Sequence, residues 1–278
     1  MAPSKYTFLP FFILFSLLFF TVSDSPAADR LSGKLLITGS GTMAPLISEM
    51  ARSFERLHPG VTITVQGYNS TRGLSDTRSG RNSLGMVSRV LQGTERDLKA
   101  FPVALDAICF IVSSSSPVKK LSRAQLTQLF TGKVSNWKQF GGGDQPLKVL
   151  LRDDRRSSTK IVAEYLQTPV AQLQGVLIPA QSTVTIKAVA KNSGAIGYVS
   201  FGEAYRYSSQ QGKIRMIAPD GQVPTKAAIL NGSYPLIRVL TLVSKGEPTP
   251  LAREFIKYCR SKAVADIVQA FDFVNLEL

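Results

Sequence analysis

Near residue 35 the chain changes from an apolar run to a polar turn and then to an amphipathic stretch. Residues 35–38 have the length and apolar character of a buried strand, and residues 39–42 form a turn of glycines and hydroxyl side chains. Pro45 suits the first turn of a following helix, where a proline loses no intrahelical hydrogen bond. The pattern predicts a helix whose apolar face comprises Met43, Leu46, Ile47, Met50, Phe54 and Leu57.

The same succession recurs downstream, with strands predicted at residues 61–65 and 83–87 and a short helix at residues 74–79. Consecutive strand–helix units are typical of a parallel sheet, so we expect an α/β fold. Ligands of such sheets bind outside the carboxyl ends of the strands, where helix N-termini offer N–H groups to anions. Ordinary helix caps are the alternative interpretation. We expect the hydroxyl residues at the three strand ends to converge on one anion site: Ser40, Thr42, Ser70, Thr71 and Ser88.

The rest of the chain continues the α/β pattern. Ser122 and Gln125 form a predicted capping box, and the glycine-rich residues 141–144 are a loop rather than a phosphate cradle. Arg152 follows a predicted strand and precedes hydroxyl residues at a helix start, which suits an oxyanion, although a solvated run of charges is the alternative. Further strands are predicted at residues 103–112, 147–151, 195–199 and 234–243, and one or two helices at residues 251–271.

The first 28 residues have the features of a secretory signal peptide. Residues 8–22 are almost entirely apolar and are followed by small residues, which predicts cleavage near Ala28; an uncleaved anchor is the alternative. An exported protein can join Cys109 to Cys259, yet each lies in an apolar run where a free thiol packs equally well. One histidine and two distant cysteines do not make a metal site, so we expect no metal and no cofactor.

The chain carries a net charge of +14 and its basic residues are scattered. A basic surface attracts anions, but a nucleic-acid-binding protein usually shows a basic stripe. We therefore expect a small anion as the ligand, and no nucleic acid.

The motifs, taken together and in order, resemble the phosphate-binding proteins of bacterial Pst-type ABC transporters along essentially the whole mature chain. The segments that carry the resemblance are residues 39–42 with Pro45, 70–73, 85–89, 104–108, 126–137, 194–198 and 234–236. The resemblance implies a type II periplasmic binding protein with two lobes, each a mainly parallel sheet flanked by helices, joined by two crossover strands. Residues 29–107 and 237–278 would form lobe one, and residues 108–236 lobe two.

The resemblance also implies a function. The protein would be a monomeric periplasmic receptor, not an enzyme, that binds inorganic phosphate and delivers it to an ABC transporter permease in the inner membrane. Two alternatives stay open: a receptor for sulfate, molybdate or tungstate, and a phosphate sensor or matrix-binding protein without a transport role.

The family's ligand residues are matched here by Ser40, Gly41, Thr42, Ser70, Arg152, Ser157, Ser158 and Thr159. Two departures from the family pattern matter. Four residues rather than three separate Arg152 from Ser157, so Arg155 or Arg156 could share its role. Ser88 stands where many members have an aspartate that accepts the phosphate proton. We expect a carboxylate to accept that proton, with Asp106, Asp153 and Asp154 as candidates, Asp76 on a solvated helix face, and the Ser88 hydroxyl as the alternative.

Overall fold

Strands and helices alternate along the part of the chain that the structure describes. The structure is a computed structural model, and it describes residue 1 and residues 31–153, 157–179 and 181–276. The strands are β1 (Ser32–Ser40), β2 (Gly60–Tyr68), β3 (Leu84–Val87), β4 (Lys99–Ser113), β5 (Lys120–Leu121), β6 (Lys148–Leu151), β7 (Val176–Leu177), β8 (Ala195–Ser200), β9 (Ile214–Met216), β10 (Ala218–Pro219), β11 (Ile237–Ser244) and β12 (Val274–Asn275). The α-helices are α1 (Ala44–Leu57), α2 (Ser70–Arg78), α3 (Arg123–Phe130), α4 (Ser157–Tyr165), α5 (Ser182–Ala190), α6 (Phe201–Gln211), α7 (Lys226–Leu230), α8 (Pro250–Cys259) and α9 (Ala265–Ala270).

Ten of the strands form one continuous sheet in the order β2-β1-β3-β11-β4-β8-β6-β7, with β9 and β12 also paired to β4. As the sequence predicted, β1 runs parallel to both β2 and β3. The long strand β4 pairs with β11 through its first half and with β8 and β9 through its second half. Strand β4 therefore takes part in both halves of the sheet, and the chain returns at residues 236–237, where the Ile108 N–H donates to the Leu236 carbonyl oxygen.

Two large hydrophobic cores lie on either side of this crossing. The first includes the buried face of α1 together with Phe255 of α8, and the second surrounds Phe110 and Tyr198. The apolar face predicted for α1 is buried except at Leu57, which is 62% exposed at the last turn of the helix. Cys109 and Cys259 lie in different cores as free, buried thiols, so the structure supports the packing alternative and not a disulfide.

Asp106 and Arg238 face each other in register on β4 and β11, between the two cores. Oδ2 of Asp106 accepts hydrogen bonds from Nε and Nη2 of Arg238 at 2.8 and 2.6 Å, and both side chains are almost fully buried. The Ser200 hydroxyl, at the end of β8, lies 2.8 Å from each Asp106 carboxylate oxygen. Asp106 therefore forms an ion pair with Arg238. This contact argues against the prediction that Asp106 accepts the proton of the ligand.

Most predicted elements are present with shifted ends. Strand β11 begins at Ile237 rather than at residue 234, because Pro235 has no N–H for the ladder. Helix α2 begins at Ser70, four residues before the predicted start, because the Asn69 side chain caps it by accepting from the Arg72 N–H. The predicted capping box of Ser122 and Gln125 is confirmed at the start of α3.

The predicted signal peptide lies, apart from Met1, outside the described residues. Across the described residues, no helix combines the length and the apolar character needed to cross a membrane.

Candidate anion-binding site

Three neighbouring parallel strands end at one edge of the sheet, and a serine lies at or just after the end of each. Ser40 closes β1, Ser70 opens α2 just after β2, and Ser88 follows β3. The Ser40 hydroxyl donates to the Ser88 hydroxyl at 2.8 Å, and the Ser88 N–H donates to the Ser70 hydroxyl at 3.1 Å. The predicted convergence of these three serines is thus observed in the structure.

A fourth serine reaches the same place from the other core. Ser157 is the first residue of α4, and its hydroxyl lies 3.0 Å from that of Ser70 and 3.2 Å from that of Ser88. We call Ser40, Ser70, Ser88 and Ser157 the serine cluster. Its members belong to elements that pack on both hydrophobic cores. Hydrogen bonds within the cluster therefore join the two ends of the sheet directly.

Glycines allow α2 to approach the strand ends closely. Gly39 has a φ of +136°, and a Cβ at this position would lie 2.4 Å from the Met86 carbonyl oxygen. A Cβ on Gly73 would lie 2.8 Å from the Gly39 Cα atom. Only glycine fits such contacts between backbones. The close packing places the N-terminus of α2 against the ends of β1 and β3, beside the serine cluster.

Three helices begin beside the cluster, and their N-termini favour an anion. Ser70 and Ser157 are the first residues of α2 and α4, and α1 begins just after Gly41 and Thr42. The first N–H groups of a helix have no intrahelical acceptor, and they form the positive end of the helix dipole. Together with the serine hydroxyls, these groups supply many donors and little negative charge.

Arg152 brings a positive charge to the described part of the site. It follows β6, is 9% exposed, and donates from Nη1 to the Ser182 hydroxyl at 3.1 Å. Its backbone N–H donates to the Tyr198 hydroxyl at 3.1 Å. Burial is the main influence on Tyr198 and raises the pKa of its phenol, which therefore stays protonated at neutral pH. Arg152 thus lies at the site with both its backbone and its side chain anchored.

The serine cluster and Arg152 border a small cavity of about 20 Å³. Pockets for drug-sized ligands measure about 300–1,000 Å³, so this cavity suits a ligand of a few atoms. Among the described lining residues, Arg152 is the only charged one and none carries a carboxyl group. The lining residues are Ser40, Gly41, Thr42, Tyr68, Asn69, Ser70, Ser88, Arg152, Ser157 and Ser158. A small oxyanion fits this size and this charge.

Two of the predicted site residues lie elsewhere. Thr71 is exposed and borders two neighbouring cavities instead. The buried Thr159 hydroxyl contacts the carbonyl oxygens of Arg152 and Asp153 and lies 2.8 Å from the Tyr198 hydroxyl. Thr159 therefore organises the segment that carries Arg152 rather than lining the cavity.

The remaining candidate carboxylates do not reach the cavity in the part of the chain that is described. Asp76 was expected on a solvated helix face, but it is 3% exposed and accepts from Thr38, Arg72 and Arg81. The Asp153 carbonyl accepts from Thr159. Asp154, Arg155 and Arg156 lie outside the described residues. The expectation of a carboxylate acceptor thus finds no support among Asp76, Asp106 and Asp153, whereas the Ser88 hydroxyl borders the cavity.

The sequence analysis missed four residues around the site. Tyr68 and Asn69 border the cavity, and Ser182 and Tyr198 hold Arg152. Asn69 could have been found, because a capping residue directly before a helix is a recognised signal. Nothing local marks Ser182 or Tyr198, since both approach Arg152 from distant parts of the chain. No group of three metal-ligating side chains is found among the residues that the structure describes.

Comparison with known proteins identifies the family of the chain. Residues 24–263 match the profile of the PBP superfamily domain. The chain is 32% identical over 247 residues to the phosphate-binding protein PstS of Bacillus subtilis, a match that covers 87% of this chain and 80% of that protein.

Solved structures extend the similarity to the fold. A Clostridium perfringens protein assigned as a phosphate ABC transporter substrate-binding protein, with phosphate bound, is 29% identical with a TM-score of 0.77, covering 88% of this chain and 100% of that one. An ABC-type phosphate transport receptor from Vibrio cholerae shares the fold at 24% identity with a TM-score of 0.75, covering 86% of this chain and 99% of that one. Both have the two-lobed fold of periplasmic binding proteins, which confirms the predicted fold class. The chain therefore belongs to the PBP superfamily and, within it, to the phosphate-binding proteins named PstS.

Proposed function

We propose that this protein binds inorganic phosphate in the cavity of the serine cluster and delivers it to an ABC transporter for import. The observation that carries the proposal is the meeting of four serine hydroxyls, three helix N-termini and Arg152 around a cavity of about 20 Å³. Such a site is rich in donors and carries a positive charge, so it favours a compact oxyanion. The names of the relatives support phosphate as that oxyanion.

The chemistry of the hydroxyl groups also suits phosphate. Near neutral pH phosphate keeps a proton, so its site needs an acceptor as well as donors. A serine hydroxyl can donate one hydrogen bond and accept two, whereas an N–H group can only donate. The Ser88 hydroxyl accepts from Ser40 and is therefore already used as an acceptor in the structure. We assign to Ser88 the role that a carboxylate has in many members of the family.

The ligand residues that we propose are those predicted residues that border the cavity: Ser40, Gly41, Thr42, Ser70, Ser88, Arg152, Ser157 and Ser158. We place the lobe boundaries between residues 107 and 108 and between residues 236 and 237. The positions of the two cores support a division close to residue 107, because Ala104 packs in the first core, whereas Ala107 and Ile108 pack in the second.

The wider role follows from the same proposal. The protein acts as an exported, monomeric receptor that carries out no chemistry and passes phosphate to a permease in the inner membrane. Its first 28 residues serve as the signal peptide for export.

Calorimetric titration of the mature chain with phosphate tests the proposal. We expect one phosphate per chain, and binding at least about tenfold weaker in Arg152→Ala, because losing one member of a buried charge pair costs about 2–5 kcal/mol. Arg253→Ala is the matched control, since Arg253 is exposed on α8 and does not border the cavity. Heat with sulfate or molybdate but none with phosphate would overturn the proposal. If Arg155→Ala or Arg156→Ala loses binding while Arg152→Ala does not, the cation of the site is misassigned.

A further inference from the structure

Arg152 is held at three points by side chains from outside its own segment. Its N–H donates to Tyr198, its carbonyl oxygen accepts from Thr159, and its Nη1 donates to Ser182. Tyr198 belongs to β8, Thr159 to α4 and Ser182 to α5. Arg152 itself lies between β6 and α4. Of the three side chains that contact it, none borders the anion cavity.

The backbone contacts of Arg152 form a hydrogen-bond chain with one consistent direction. The Tyr198 oxygen accepts from the Arg152 N–H, so its own proton is available for the Thr159 hydroxyl 2.8 Å away. The Thr159 proton then serves the carbonyl oxygens of Asp153 and Arg152, at 3.0 and 3.2 Å. Each hydroxyl both accepts and donates, and the chain returns to the residue where it began. Buried networks that are fully satisfied in this way fix a single geometry.

Ser182 fixes the side chain of Arg152 in the same manner. It is the first residue of α5 and is 5% exposed. Its hydroxyl accepts from Nη1 at 3.1 Å. A hydrogen bond to a charged group is stronger than one between neutral groups, and it limits the directions in which the guanidinium can turn.

We infer that Tyr198 and Ser182 are positioning residues for phosphate binding: they hold the backbone and the guanidinium of Arg152 in the geometry that the anion requires. The inference rests on the proposed function, because it assigns both residues a role at the same site. Neither residue borders the cavity with the serine cluster. Their effect on the ligand would pass through Arg152.

The test is the dissociation constant for phosphate of Tyr198→Phe and Ser182→Ala, measured by calorimetry beside thermal unfolding without ligand. Each variant removes one hydrogen bond to Arg152, and we expect binding about tenfold weaker, which corresponds to about 1.4 kcal/mol. Tyr234→Phe is the control for losing a buried phenol hydroxyl, since Tyr234 is 1% exposed, donates to the Ile108 carbonyl oxygen and does not border the cavity of the serine cluster. Ser182→Thr keeps the hydroxyl and should restore the affinity.

A second set of variants separates positioning from general damage to the fold. In an Arg152→Ala background, Ser182→Ala should weaken phosphate binding no further, because the group that it positions is gone. Wild-type affinity in both Tyr198→Phe and Ser182→Ala would overturn the inference. So would equal losses of affinity in Tyr198→Phe and Tyr234→Phe, or an undiminished effect of Ser182→Ala in the Arg152→Ala background. If the wild-type protein binds no phosphate, the proposed function itself fails, and this outcome is distinct from the others.

Discussion

The buried ion pair between the two cores should make Asp106 one of the most sensitive positions for stability. Asp106→Asn keeps the shape of the side chain and removes its charge. Arg238, whose side chain is 3% exposed, would then keep a buried positive charge without its carboxylate. Both Nε and Nη2 of Arg238 donate to the same Asp106 oxygen, so one substitution weakens two charge-assisted hydrogen bonds. The Ser200 hydroxyl also loses its anionic partner.

The expected loss is large relative to the total stability. Removing one member of a buried ion pair costs about 3–5 kcal/mol, and globular proteins are stable by only about 5–15 kcal/mol. For a domain of this size, each kcal/mol lowers the melting temperature by about 2–4 °C, so a fall of roughly 6–20 °C is expected. Replacing both partners by apolar residues removes the buried charge together with its counter-charge. Asp106→Leu combined with Arg238→Met should therefore be much less damaging than Asp106→Asn alone.

The assay is urea unfolding of the mature protein without ligand, followed by circular dichroism. Asp97→Asn is the matched control, because Asp97 pairs with Arg78 at the exposed surface and such pairs contribute little. A midpoint for Asp106→Asn close to that of Asp97→Asn would refute the reasoning. It would mean that Arg238 reaches water through the two cavities that it borders.

Three further predictions concern α2 and the serine cluster. Gly73→Ala should destabilise the protein by about 1–3 kcal/mol in urea unfolding, because its Cβ would lie 2.9 Å from the Met86 carbonyl oxygen; Gly143→Ala, with open space around it, should not. At Asp76, burial opposes ionisation, but hydrogen bonds from Arg72, Thr38 and Arg81 outweigh burial and lower the pKa of the carboxyl group. The ionised carboxylate therefore stabilises the folded protein above the usual carboxyl pKa of about 3.9, and this stabilisation is lost as the pH falls through the lowered pKa. The stability difference between wild type and Asp76→Asn, measured by urea unfolding against pH, should therefore shrink in acid; a constant difference would contradict this. Ser88→Ala should lower the preference for phosphate over sulfate in competition calorimetry, since it removes a hydroxyl acceptor; an unchanged preference would remove Ser88 from that role.

Local patterns predicted the elements of this fold well. The helical spacing of Leu46, Ile47 and Met50 identified α1, and the succession of strands and turns predicted the parallel arrangement of β1, β2 and β3. These features depend on periodicity and on turn chemistry, both of which are visible over a few residues. The convergence of Ser40, Ser70 and Ser88 then followed from the geometry of a parallel sheet.

The contacts that local patterns could not predict join distant parts of the chain. Asp76 lies on a short polar helix that looks solvated, and its burial depends on Thr38 of β1 and on Arg81 beyond the helix. Asp106 interrupts an apolar strand, and only the pairing of β4 with β11 reveals Arg238 as its partner. Both carboxylates pair with arginines, Asp106 with the distant Arg238 and Asp76 with the nearby Arg72 and Arg81. Their burial depends on contacts with other strands, which local patterns do not show.

The most direct test of the central claim is a crystal structure of the mature protein grown with phosphate. We predict density for one tetrahedral anion in the cavity of the serine cluster, within hydrogen-bond distance of Ser40, Ser70, Ser88 and Ser157 and of the Arg152 guanidinium. Phosphate bound elsewhere, or a cavity that stays without an anion while calorimetry shows saturation, would contradict the claim that these residues form the phosphate site.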